Sequence, residues 1–160
     1  MREAEDLAVR LPAGWGVRRA SLALARSYFA RSRGAGGFWA SPAELASRLA
    51  AAAVVVEAPW GAFFVESLER GWRAEVHGLF WGAGVARDVG DIRVFAEAMH
   101  AAWNLRRLEV PVVGQARGVE RLLRRIGFEL EGRHPAGARS PAGVVQDLAI
   151  YGIIWEAGED

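Results

Sequence analysis

Hydrophobic and polar positions change period along the chain, and the clearest change lies at residues 107–133, RLEVPVVGQARGVERLLRRIGFELEGR. Leu108, Val110, Val112 and Val113 are apolar and β-favouring, and the run stops at Gly114 and Gln115, which predicts a strand ending in a turn. Val119, Leu122, Leu123 and Ile126 then recur at helical spacing, with Arg117, Glu120, Arg121, Arg124 and Arg125 on the opposite face. One face is core and the other solvated. Gly127 stands where a left-handed residue ends a helix, and Phe128 and Leu130 alternate with Glu129 and Glu131 into another strand.

The rest of the chain reads in the same way. Residues 7–17, LAVRLPAGWGV, predict an edge strand broken by Pro12 and Gly14. Leu22, Leu24, Ala25, Tyr28 and Phe29 form a helical stripe over about 19–31, which Gly34, Gly36 and Gly37 should end. Ser41, Pro42 and Glu44 form a capping box with proline at the first helical position, opening a second helix through Leu45 and Leu49. Val54–Val56, Phe63–Leu68 and Trp72–Trp81 predict a three-stranded meander. The loop GAGVARDVGD, residues 82–91, leads into a helix whose buried face is Ile92, Phe95, Met99, Ala102 and Trp103. The predicted order is β, α, α, β, β, β, α, β, α, β, β. Pro111 has no N–H to give to a ladder, so one side of its strand must lie unpaired.

Composition narrows the chemistry. With 160 residues, 52% hydrophobic and 24% charged, the chain is expected to form one domain, residues 1–160, around a single core. The absence of cysteine excludes disulfides, thiolate nucleophiles and sulfur-ligated zinc. Every basic residue other than histidine is arginine, so Schiff-base chemistry and a lysine phosphate loop are excluded as well. A net charge of +1 with interleaved signs argues against nucleic acid as a partner. The longest apolar run, 49–56, is too short to span a bilayer, and the acidic first residues do not read as a signal peptide. The expected location is the cytoplasm, with no membrane partner.

The ordered series Arg107 and Glu109 on a strand, a turn at 114–117, an amphipathic helix, Gly127-Phe128 and Glu131-Gly132-Arg133 resembles the GNAT family of N-acetyltransferases, in particular the ribosomal-protein alanine acetyltransferase branch. Asp147 and Tyr151 in the closing run 144–156 fit the same pattern, and the resemblance extends over about 73–156. It implies an α/β fold with a central, mostly antiparallel twisted sheet of about six to seven strands flanked by about four helices. It also implies that the strand carrying Pro111 splays from its neighbour. The implied activity is transfer of acetyl from acetyl-CoA, as co-substrate, to a primary amine by direct attack, without a metal.

The resemblance places the pyrophosphate on the 82–91 loop, through Arg87, Asp88, Val89, Gly90, Asp91 and Ile92. The motif is incomplete there, because Ile92 stands at its last position and Asp88 and Asp91 add negative charge offset only in part by Arg87 and Arg93. The blander reading is that Asp91 only caps the helix. A literal match at Arg31, Gly34 and Gly36 lacks the preceding strand. The family's asparagine and tyrosine positions are Ala116 and Leu123 here, so neither group is present. His77 is the first candidate for general base and Glu66 the second, with Glu75 on the face of His77; a structural histidine is the alternative. A strand N–H at Phe80 or Trp81 would stabilise the oxyanion. Arg117 and Arg121 sit where the family approaches the CoA phosphates, or are simply solvated. Tyr151 either reaches the site or packs, and Phe38 and Trp39 either line a substrate pocket or fill the core. Trp39, Trp60, Trp72 and Trp81 raise the choice between an aromatic-ligand surface and core filling. Acceptors open to such an enzyme are a protein N-terminus, an aminoglycoside, a polyamine or a small metabolite, and homodimers are frequent in the family. The alternative is a GNAT-fold binding or regulatory module that no longer acetylates.

Overall fold

The computed structural model describes residues 2–82, 88–114 and 116–156, and for 33–37 the backbone alone. The elements run α1 (Arg2–Ala8), β1 (Gly16–Arg18), α2 (Leu22–Gly37), α3 (Pro42–Ala51), β2 (Val54–Ala58), β3 (Gly61–Glu69), β4 (Arg73–Phe80), α4 (Val89–Trp103), β5 (Arg107–Val113), α5 (Arg117–Ile126), β6 (Glu129–Arg139) and β7 (Val145–Ile154). The strands form one seven-stranded sheet in the order β1-β2-β3-β4-β5-β7-β6. Every pairing is antiparallel except β4 with β5. The α/β fold and the mostly antiparallel sheet agree with expectation, and the described helices number five rather than four.

Strand alternation divides the core into two layers. Val54, Val56, Phe63, Val65 and Val76 face α1, α4 and α5, where Leu7, Phe95, Met99, Leu123 and Ile126 are buried. Val55, Ala62, Phe64 and Leu79 face α2 and α3, against Tyr28, Trp39, Leu45 and Leu49.

Local signals account for most boundaries. Ser41 Oγ accepts from the Glu44 N–H at 3.2 Å, and Glu44 Oε2 accepts from the Ala40 N–H at 2.9 Å, so α3 starts at Pro42 as its sequence requires. Gly127, at φ 117°, ends α5 by donating to the Leu123 and Arg124 carbonyls, and Phe128 N–H follows to Leu123 at 2.9 Å.

Two expectations are corrected. The 7–17 segment is not one strand: Leu7 closes helix α1, and only Gly16–Arg18 pairs with β2. The helix is fixed by distant contacts, with Leu7 fully buried and the Trp103 indole donating to the Glu3 carbonyl at 3.2 Å. Helix α2 also runs through Gly34, Gly36 and Gly37. Glycine weakens a helix without removing its hydrogen bonds, and the buried Tyr28 and Trp39 hold the chain on either side.

One irregularity positions the site. Strands β4 and β5 pair only at Arg73–Arg107, Ala74–Leu108 and Glu75–Glu109, whereas β5 stays paired to β7 through Val113. Beyond Glu75 the two strands part, and the sheet has a seam.

Candidate active site

A cavity of about 380 Å³ passes through this seam. On the α4/α5 side its wall includes Phe63, Phe80, Ile92, Phe95, Ala116 and Leu123; on the α2/α3 side it includes Phe38, Trp39, Phe64, Leu79, Ser32 and His77. Val110–Val113 of β5 and Val76–Phe80 of β4 are its two banks.

Backbone polarity on those banks follows from ladder alternation. The Trp81 N–H donates to the Trp60 carbonyl at 2.9 Å, so in the same β3–β4 register the backbone groups of Val76, Gly78 and Phe80 turn towards the seam. The Trp81 N–H is therefore engaged, while that of Phe80 faces the cavity. Across the seam, Gly114 N–H donates to Asp147 at 2.9 Å, which turns Pro111 and Val113 towards β4. Proline is tolerated because no strand is there to receive its missing donor. These are two facing strand edges with main-chain groups free for an extended amide-bearing ligand.

His77 projects on the α2/α3 face, stacked on its cross-strand neighbour Phe64 with centroids 5.0 Å apart and planes 11° apart. Its Nε2 lies 2.7 Å from Glu75 Oε1 and 3.3 Å from Glu66 Oε2, and Arg48 binds Glu66 at 2.8 Å. The hydrogen bond from His77 holds the Glu75 carboxyl below its ordinary range, against the opposing effect of burial. The structure thus brings His77, Glu75 and Glu66 together, with Arg48 added. The three candidate ligand atoms lie within 4.8 Å of one another, although Arg48 and the histidine–carboxylate bond already satisfy these groups.

At the other side of the seam, α4 begins at Val89 with Asp88 as its N-cap residue, yet no side chain caps it. The Asp88 carboxylate instead accepts from the Trp60 indole N–H. The first N–H groups of α4 have no partner inside the helix, which is the usual condition of an anion-binding helix start. Asp91 does not cap either. Gly90 is exposed, and a Cβ built on it would meet nothing within 4 Å. Ile92 differs from expectation: its N–H is bonded to the Asp88 carbonyl at 3.0 Å and its side chain is buried in the cavity wall, away from the helix start. The Arg93 guanidinium binds the Ile126 and Arg125 carbonyls at the end of α5 rather than either acid of the loop. Arg87 lies outside the described residues.

Ala116 is the N-cap residue of α5, also without a side-chain cap, and Leu123 is buried in the cavity wall, where it can give no proton. Arg117 and Arg121 are exposed on the first turns of the same helix. Tyr151 packs: it is fully buried, and its hydroxyl donates to Glu120 Oε1 at 2.9 Å, which also receives Arg133 at 2.7 Å. Burial and that hydrogen bond raise its pKa. Of the tryptophans, Trp39 lines the cavity, Trp60 joins Trp15, Phe63 and Phe80 in the core, Trp81 stacks near Tyr28, and Trp72 is exposed under Arg73. Phe38 and Trp39 both line the pocket and pack. Sequence reading missed Gly78, Ser32, Arg48 and the Trp60–Asp88 bond; alternation along β4 marked Gly78, but the others are tertiary.

No family model and no curated protein matches the sequence. Solved structures do. The RimL ribosomal-protein α-N-acetyltransferase in complex with coenzyme A is similar at a TM-score of 0.66 and 13% identity, over 90% of this chain and 96% of that one. A ribosomal-protein alanine acetyltransferase from Vibrio fischeri gives 0.65 and 18%, over 89% and 94%. The microcin self-immunity acetyltransferase MccE, in complex with acetyl-CoA and AMP, gives 0.65 and 15%, over 92% and 99%. A GNAT-family acetyltransferase from Bacillus anthracis gives 0.64 and 11%, over 88% and 94%. The chain has the fold of these acetyltransferases.

Proposed function

We propose that this GNAT-fold chain is an acetyl-CoA-dependent N-acetyltransferase that delivers acetyl to a primary amine by direct attack. The observation that carries this reading is the seam cavity itself, with open strand edges as banks, an uncapped helix start on one face and His77 on the other. The residues present fit the co-substrate. The free amides at Val89, Gly90 and Asp91 suit a pyrophosphate, with Arg87, Arg117 and Arg121 as cationic candidates and Asp88 held aside by Trp60. The edges at Gly78, Phe80 and Val113 suit the amides of a pantetheine arm.

Bound acetyl-CoA would supply the acetyl thioester. His77, oriented by Glu75, takes a proton from the acceptor ammonium, with Glu66 sharing the charge of the imidazolium. The Phe80 N–H, on the seam edge of β4, is the donor this reading assigns to the developing carbonyl charge. No side chain of Leu123 or Ala116 can protonate the leaving thiolate, so solvent does so. The acceptor class, a cytoplasmic location and a homodimer belong to the same reading. No helix among the described residues is long and apolar enough to cross a membrane. The second reading, a GNAT-fold binding module without turnover, is favoured by Leu123 and Ala116 alone.

Isothermal titration with acetyl-CoA tests the assignment, with Gly90→Glu as control. The open space at Gly90 lets the glutamate fold in place while its charge opposes a pyrophosphate. Saturable binding that the variant loses is expected; no binding at millimolar acetyl-CoA would overturn the reading.

A further inference from the structure

The two halves of the cavity differ in chemistry. On the α4/α5 face stand the helix starts suited to phosphates, so the acceptor is left the α2/α3 face, where His77 lies. There the wall is Phe38, Trp39, Phe64 and Leu79, with Ser32 and His77 as the polar members. Phe38 and Trp39 pack edge to face at 4.8 Å, and Trp39 and Phe64 lie 6.4 Å apart, an aromatic corner rather than a hydrated groove. The Ser32 hydroxyl is turned to the Tyr28 carbonyl at 2.7 Å.

The described carboxylates on this face each have a hydrogen-bond partner. Glu66 holds Arg48, Glu75 holds His77, Glu57 accepts the Tyr28 hydroxyl at 2.6 Å and binds Arg18 at 3.1 Å, and Glu44 closes the capping box of α3. Beside Tyr28, Arg31 sits 5.1 Å over the Trp81 ring, adding positive charge on this face. The described lining of this half of the cavity holds no carboxylate, so a second cationic group on an acceptor seated there would be desolvated among aromatic rings. Among the described lining residues, peptide groups would likewise meet no hydrogen-bonding side chain other than Ser32, which is turned to Tyr28, and His77.

Building on the transferase reading, we infer that the acceptor is a small primary amine whose reacting nitrogen is its one charged group, carrying an aromatic or branched alkyl substituent. The substituent fills the corner made by Phe38, Trp39 and Phe64, and the ammonium meets His77. One ammonium proton passes to His77, the nitrogen lone pair forms the C–N bond as the C–S bond breaks, the acylated nitrogen gives its second proton to solvent, and the thiolate takes one from solvent. The products are the neutral amide, the CoA thiol and one released proton. A polyamine, an aminoglycoside or a protein N-terminus does not fit this half of the cavity.

The test is a set of initial rates on the full chain, with thiol release read at fixed acetyl-CoA for 2-phenylethylamine, isoamylamine, spermidine, kanamycin and an alanine-initiated tetrapeptide. The first two are expected to show kcat/KM higher by about tenfold or more. Trp39→Leu, which keeps an apolar side chain, should raise KM for 2-phenylethylamine more than for isoamylamine. Because Trp39 is buried, Phe38→Leu serves as a second variant with the same expected sign. Preference for spermidine, kanamycin or the peptide overturns the inference, as does saturable acetyl-CoA binding by calorimetry with turnover of no amine in the set. Failure of acetyl-CoA itself to bind overturns the transferase reading instead, and is read in a separate experiment.

Discussion

The Trp60 indole holds the Asp88 carboxylate away from the helix that Asp88 begins. A free aspartate at this place would cap α4 and put its charge where a pyrophosphate would bind. Trp60→Phe removes the donor but keeps an aromatic ring beside Trp15 and Phe63. Acetyl-CoA affinity in titration is expected to fall by up to about fivefold. Adding Asp88→Ala should restore it, which a purely structural effect of the ring change would not do.

The β4 pair Glu75 and His77 separates orientation from chemistry. His77→Ala is expected to lower kcat by about 100-fold, the loss of a general base. Glu75→Gln keeps a hydrogen-bonding group beside the imidazole and is expected to cost about tenfold in kcat/KM. Neither variant should change acetyl-CoA affinity, since both side chains lie on the face opposite the uncapped helix start; a matched loss of affinity would place His77 in a structural role.

Stability should depend on pH through the same pair. The Glu75 carboxyl is held below its ordinary range in the fold, so the folded chain resists protonation there more than the unfolded chain. The contribution is present above the ordinary carboxylate range and is lost as pH falls through it. In urea unfolding, wild type should exceed Glu75→Gln in midpoint at about pH 7, and the gap should narrow towards about pH 3.

Gly78 leaves room for an aromatic ring. A Cβ at that position would lie 2.7 Å from Cζ of Phe80, so Gly78→Val must displace the ring that walls the cavity. Acetyl-CoA binding in titration is expected to weaken by about tenfold or more, with a fall in melting temperature smaller than a core truncation gives.

The strands and helices that could be read were those whose causes are local. Ser41, Pro42 and Glu44 sit within one turn, and Gly127 ends α5 by itself, so α3 and α5 fell where their residues put them. The absent N–H of Pro111 marked the strand side that lies open at the seam. Helix α1 could not be read, because Leu7 is held by a layer whose partners include Trp103, far along the chain. Arg93 was assigned to the phosphate loop by proximity in sequence, yet tertiary packing takes it to the end of α5. The pair His77 and Glu66 was legible from strand spacing; Arg48, which neutralises Glu66, comes from α3 and left no sign beside it.

The parted β4 and β5 give the sheet two extra edges that lie inside its strand order. An ordinary exposed edge invites strands from other chains and must be defended by charge, proline or distortion. Here both edges face each other across the seam, inside the sheet rather than at its rim. The same unpaired backbone that would be an aggregation hazard at the rim becomes, between two strands of one sheet, a place for main-chain groups to meet a ligand.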